Sequence, residues 1–281
     1  MKNTSLLRNG VIIVAASLLT FTACKPNKKE VTPALTNADD NGGYASDGAK
    51  LEQHNNDVIS IADVAASSGS TNLRVTSVYP IVTHDTVAHL LTIDYGTGGV
   101  SGIDGKVRRG MIIVSYSGRY KDSGSVHTIT TSNYFVNDKQ VIVHKTVTNM
   151  GTNMEGNVWY TVSVNDSVIL ATDSVISWTG SRTRTWLAGY GTASRYDDVY
   201  QIKGTTTLKR ANGRTFTAVI SDADPLKVAV DCANIEAGTV TISSTSFTGG
   251  DRVLNYTYGT GGCDNLAQLT IGTHVYIITL H

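Results

Sequence analysis

Several things are scarce in this chain. Of 281 residues, four are proline and three are cysteine, and charged residues make up only 16%. Lys plus Arg and Asp plus Glu balance at 23 each. A nucleic-acid-binding surface needs a basic surplus on one face, so no nucleic-acid partner is expected. No Cys or His spacing resembles a zinc site, so no metal and no cofactor are expected. A GxSxG elbow, an HExxH helix and an EF-hand calcium loop are also missing, which removes the common hydrolase and calcium signatures.

What is present begins with a leader. Lys2 and Arg8 give a positive start without an acidic residue, followed by an apolar core ending at Phe21. That core is about a dozen residues, whereas a helix needs roughly 20 to span a bilayer. It therefore reads as a secretory signal rather than a retained anchor. Small Thr22 and Ala23 precede Cys24, the pattern of a lipoprotein cleavage site; Phe21 stands where an aliphatic residue is usual. The expected organisation is a signal peptide over 1–23 and a lipid on Cys24. Several acyl chains, each CH₂ contributing about 0.8 kcal/mol, would hold the protein stably on a membrane. The alternative is a plain secretory signal that ends near a cysteine.

The other two cysteines, Cys232 and Cys263, form an even pair in an oxidising compartment. That invites a disulfide, against the alternative of two buried free thiols. Residues 24–50 are polar and read as a flexible lipidated tether. Residues 51–70 hold a short helical segment, with Leu51, Val58, Ile61, Ala62 and Ala65 at helix spacing over 51–66. From about residue 71 to 281 the pattern alternates with period two and is rich in Thr, Val, Ile and Tyr. Stretches such as 73–79, 89–95, 111–120, 139–149, 158–164, 215–221 and 274–280 read as strands. Turn signals at Asn137-Asp138, Asn165-Asp166, Asn212-Gly213 and Gly249-Gly250 separate them. The expected fold is all-β: an antiparallel sandwich or an extended, curled sheet, with one short N-terminal helix. The final strand places the C-terminus inside the sheet.

An internal echo joins LLTIDYGTGGV (90–100) to VLNYTYGTGGC (253–263). It predicts two related β units, near 72–122 and 232–281, each turning on glycines. Neither copy ends in the Lys-Ser/Thr of a P-loop or opens a predicted helix, so phosphate binding is not expected.

Together IDYGTGG (93–99), RRGMIIVSYSGRY (108–120), SWTGSRTRTWLAGYGT (177–192), DDVYQIKGTTT (197–207) and YGTGGCDNLAQLTI (258–271) resemble a family of uncharacterised lipoproteins of Bacteroidota. The resemblance covers essentially all of 51–281. It implies an all-β envelope lipoprotein and carries no catalytic or ligand residues. Val100 stands where the relatives often have a cysteine, so the resemblance implies no pairing there.

Candidate chemistry is thin. His84 and Asp85, with His89 and Asp94, read as polar residues around a turn; on a single strand His84 and His89 would face opposite sides. Asp122-Ser123-Gly124 resembles half of an aspartic-protease dyad but has no second copy, and reads as a hairpin turn. The better candidate is a ligand platform. Alternation over 181–190 puts Arg182, Arg184, Trp186 and Ala188 on one face, with Trp178 upstream across a turn or bulge at Gly180. Exposed, Trp178, Arg182, Arg184 and Trp186 could stack on a sugar or hold a protein partner. Otherwise the arginines cover the indoles, or the indoles are core; Asp197-Asp198 could neutralise the arginines. The expectation is a non-catalytic outer-membrane lipoprotein, structural or protein-binding. A surface glycan-binding module is the alternative, and a hydrolase with an unrecognised site the third reading. The basic run Lys25–Lys29 after Cys24 leans toward a periplasm-facing position.

Overall fold

The structure is a computed structural model that describes residues 40–67, 80–102, 105–170, 174–192, 194, 196–232, 234–258 and 262–280. The chain divides into two units, Met1–Val31 and Thr32–His281, and every described residue belongs to the second. The leader, Cys24 and the strand expected at 73–79 lie outside the described residues. No described helix is long and apolar enough to cross a membrane.

One helix, α1 (Asp40–Ser67), precedes sixteen strands. The first are β1 (Ile81–Asp85), β2 (Leu90–Asp94), β3 (Val100–Ser101), β4 (Val107–Tyr116), β5 (Val126–Val136), β6 (Lys139–Ile142) and β7 (His144–Thr152). Next come β8 (Val158–Ile169), β9 (Val175–Ala188), β10 (Val199–Lys209), β11 (Thr215–Ile220) and β12 (Leu226–Ala229). The last are β13 (Thr239–Ser243), β14 (Arg252–Asn255), β15 (Leu266–Ile271) and β16 (His274–Thr279).

All belong to one sheet, in the order β1-β2-β4-β5-β6-β8-β9-β10-β11-β13-β14-β15-β16. Short β6 and the longer β7 follow one another between β5 and β8, β12 pairs with β10, and β3 with β4. Every pairing is antiparallel, as the short connections require. The fold is thus the single curled sheet, not the sandwich. Asn137 and Asp138 both take positive φ, 48° and 63°, in the tight β5–β6 turn that their sequence predicts. The Asn165-Asp166 turn does not form: β8 runs straight through it, with Asp166 opposite Trp178 of β9. The final strand is the sheet's last member, paired with β15.

The helix begins at Asp40, eleven residues before the expected start, so the end of the supposed tether is helical. Gly42, Gly43 and Gly48 hid it, because glycine is a poor helix former. Packing overrides that preference: Ala49, Val58, Ile59 and Ala62 are buried in the same core as the strands.

The way α1 is held shows the curl. Glu52 and Asp63 are eleven residues apart, about three turns, so they share one side of the helix. Both pair with β9, through Arg182 and Arg184. Asp57 lies about 140° further round and pairs with Arg108 of β4. Laid flat, β4 and β9 would be four strand spacings apart, roughly 19 Å, and could not grip two sides of one helix. The sheet therefore wraps around α1, and Gly48 meets Ile242 of β13 from a third direction.

Two irregularities help it bend. Gly110 takes φ +84° at a register shift between β4 and β5, and a Cβ there would sit 1.9 Å from the Asn133 carbonyl oxygen. Gly180 lies mid-strand, where a Cβ would be 2.3 Å from Thr205 O of β10. The turn or bulge expected at Gly180 is absent; its role is close approach of β9 to β10.

The outward face is rich in hydroxyls. One row crosses neighbouring strands through Thr128, Thr146, Ser163, Ser181 and Thr205. A lipid-facing barrel carries an apolar outer band; this row is suited to water.

Candidate functional site: a charged interior around the helix

Alternation along β9 turns Ile176, Trp178, Arg182, Arg184 and Trp186 to one face, as the sequence predicts. That face is the inner one. Trp178 and Trp186 are 1% and 2% exposed, and Arg182 and Arg184 are buried at 5% and 3%. The proposed open platform is therefore corrected: its four residues do come together, but beneath α1 and within the sheet. Ala188 departs from the alternation and is exposed at the strand end.

Each buried arginine has its own surroundings. Arg184 Nη1 donates to Asp63 Oδ2 at 2.5 Å and to Tyr120 Oη at 2.8 Å, while its Cζ lies 3.4 Å over the Tyr200 ring. Burial alone would lower its pKa; Asp63, Tyr120 and Tyr200 outweigh this and hold it above the ordinary arginine range. Arg182 Nη2 donates to Glu52 Oε1. Burial raises the Glu52 pKa, although Arg182 and Lys145 pull it down. Arg108 Nη2 reaches both Asp57 oxygens, at 2.9 and 2.8 Å, with Lys106 Nζ at 3.9 Å from Oδ2.

Three more buried charged residues face inward from the sheet. Lys145 of β7 pairs with Asp166 of β8, whose Oδ1 also accepts the His144 N–H at 2.9 Å. Asp198 accepts hydrogen bonds from Trp186 Nε1 at 3.1 Å and Tyr200 Oη at 3.3 Å. Asp197 accepts from Thr192 Oγ1. Among the described residues, the carboxylates paired with Arg182 and Arg184 come from α1 instead. Aromatic rings complete the wall, with Tyr120 stacked on Tyr160 at 4.6 Å and Trp186 at 5.2 Å from Tyr200.

Comparison with protein-family models, curated proteins and solved structures finds no match for this chain.

The other sequence candidates resolve into structure. His84 is the last residue but one of β1 and His89 precedes β2, so a hairpin brings them together on Tyr116. His84 Nε2 is 2.6 Å from Tyr116 Oη, and the His89 ring stacks at 5.2 Å. Asp85 Oδ1 accepts the N–H groups of Val87 and Ala88, which lower its pKa and fix the turn. Asp122 Oδ2 accepts the Arg119 N–H in the exposed β4–β5 connection, as a turn residue does. Among the described residues no group of three or more His, Cys, Asp or Glu could hold a metal ion. Cys232 and Cys263 are joined in a disulfide, with Cα atoms 5.4 Å apart. It ties the segment after β12 to the β14–β15 connection.

The echo is real on the inner face: Leu91 and Leu254 are both buried, as are Ile93 and Tyr256. It fades at the turn, where Tyr95 is buried and Tyr258 is exposed.

Sequence reasoning missed the acidic side of the site, Glu52, Asp57 and Asp63, together with Arg108, Lys145 and Asp166. One signal pointed there. Two arginines sharing a strand face with two tryptophans need buried counter-charges, and α1 is an acidic segment, although far upstream in the chain.

Proposed function

We propose that this chain is a membrane-anchored envelope lipoprotein whose β domain is non-catalytic and acts as a structural or protein-binding element. One observation carries the non-catalytic part. The buried charges that could have formed a reactive constellation are spent on one another, three α1 carboxylates against Arg108, Arg182 and Arg184. The tryptophans that would have stacked on a glycan are core, which removes the support for the glycan reading.

Support for anchoring comes from the leader and Cys24, and from the resemblance to lipoproteins of Bacteroidota. Support for protein binding comes from the sheet's last strand. Strand β16 has no Asp, Glu, Lys or Arg, and exposes Val275 and Ile277. Among the described residues its one strand partner is β15. Such an edge accepts an extended segment of another protein.

The test is expression of the full chain and of Cys24→Ser in a lipoprotein-processing bacterium. The native protein should incorporate labelled palmitate and sediment with membranes; the variant should do neither. Equal membrane recovery of both would overturn the anchor. Protease shaving of intact cells should spare a periplasm-facing domain. A photo-crosslinking residue at Val275 should capture a defined protein; capture of nothing above a control at exposed Val87 would overturn the binding role of this edge.

A further inference from the structure

The inner face of the sheet is far more cationic than its own acids can balance. Lys106, Arg108, Lys145, Arg182, Arg184 and Arg252 are buried, against Asp166 and Asp198. The remaining counter-charge, Glu52, Asp57 and Asp63, is brought by α1. The walls are also more apolar than the helix they enclose. They present residues such as Ile93, Ile112, Ile242, Leu254 and Leu269, while among the described side chains α1 fully buries the smaller set Ala49, Val58, Ile59 and Ala62, with Ile61, Ala65 and Ala66 partly buried beside them.

The helix is also weakly made. It contains three glycines and three asparagines, all poor helix formers. An isolated helix of such composition is unstable in water, so α1 owes its form to the sheet around it. We propose that α1 is a built-in occupant of a binding cleft, and that the curled sheet takes up an anionic amphiphile, a carboxylate- or phosphate-headed acyl chain, when α1 is displaced.

The chemistry at the centre fits an anionic head better than it fits α1. Arg182 offers five donors in a planar fork, yet Glu52 engages one nitrogen. Among the described residues, buried Arg182 Nε and Nη1 find no hydrogen-bond partner, nor do Tyr256 Oη and Thr206 Oγ1. Tyr256 lies within electrostatic reach of both Arg182 and Glu52. A phosphate or carboxylate presents several acceptor oxygens and can engage such a fork through two bonds at once. Departure of a helix about 10 Å across would leave room for acyl chains along the apolar walls. The inference does not rest on the lipid at Cys24, because it concerns the interior of the domain alone.

The probe is dansyl-undecanoate, a fluorescent fatty acid, titrated into the full mature chain. Three proteins are compared: native, Glu52→Gln/Asp63→Asn, and a lock made by Gly48→Cys with Ile242→Cys. A Cβ on Gly48 lies 2.6 Å from Ile242 Cδ1, so the new side chains meet. Weakening two helix attachments should tighten probe binding at least tenfold over native. The oxidised lock should lose saturable binding, and mild reductant should restore it to the native value measured in the same reductant. Near-UV circular dichroism checks that each protein keeps its packed aromatic core. Should the neutralised variant lose that signal, the lock against native decides the matter. Equal probe affinity of locked and native protein would overturn the proposal, as would a well-folded neutralised variant that binds no tighter than native.

Discussion

Arg184 and Asp63 stand 121 residues apart in the chain and meet at 2.5 Å inside the sheet, with the guanidinium also laid over Tyr200. Removing one member strands the other as a buried, unpaired charge, which costs about 3–5 kcal/mol. Arg184→Met and Asp63→Leu should each lose that much stability in urea unfolding. The double variant should recover most of the loss, because neither charge is then left alone. An Arg184→Met protein as stable as native would show that this pair does not hold α1 in place.

Much of the sheet is legible in the residues that make it. Period-two alternation finds the strands, and Asn137-Asp138 finds its turn, because both signals are local. The alternation of Arg182, Arg184 and Trp186 is legible too. What it cannot give is which face is inside, because the carboxylates that make that face habitable lie 121 and 130 residues upstream. The same holds for Asp166: Asn-Asp reads as a turn, but Lys145 draws the carboxylate inward and the strand continues. The start of α1 is hidden for a related reason. Its glycines argue against a helix locally, and only the surrounding sheet reverses the preference.

The Cys232–Cys263 bond spans 31 residues. For a loop of that length the chain-entropy account gives about 3–4 kcal/mol of stabilisation. Cys232→Ser/Cys263→Ser should lower the denaturation midpoint accordingly. Hydrogen exchange should accelerate first over β13 and β14, the strands enclosed by the bridge. Acceleration centred on β4–β5 instead would contradict this account.

Gly110 and Gly156 have nearly the same left-handed backbone, φ +84° and +85°, but different surroundings. A Cβ at Gly156 meets nothing within 4 Å, whereas at Gly110 it would meet the Asn133 carbonyl oxygen at 1.9 Å. Gly156→Ala should cost about 1–2 kcal/mol, the penalty of the backbone conformation alone. Gly110→Ala must also push β4 and β5 apart at their bulge and should lower Tm well beyond that. Equal melting of the two variants would mean that the bulge can relax without cost.

His54 sets how the fold should respond to acid. It is half-buried on α1, and burial holds its pKa down to about 4, against the opposing pull of Asp57 and with help from Lys106, Lys139 and Lys145. The unfolded chain takes up this proton near the ordinary value of 6.5, before the folded chain does. The His54 contribution is therefore intact above pH 6.5 and is lost as pH falls toward about 4. Glu52 acts in the other direction: burial raises its pKa, so its contribution is present at low pH and is lost as pH rises through that raised value. The two partly cancel in the native protein, and a single stability curve would not separate them. Comparison with His54→Gln does, because Glu52 and every other group are common to both. From pH 6.5 down to 4 the native protein should lose stability relative to the variant, measured as the difference in urea midpoints. A constant offset between the curves would mean that His54 titrates alike in the folded and unfolded chain, and that the interior around α1 does not keep it neutral.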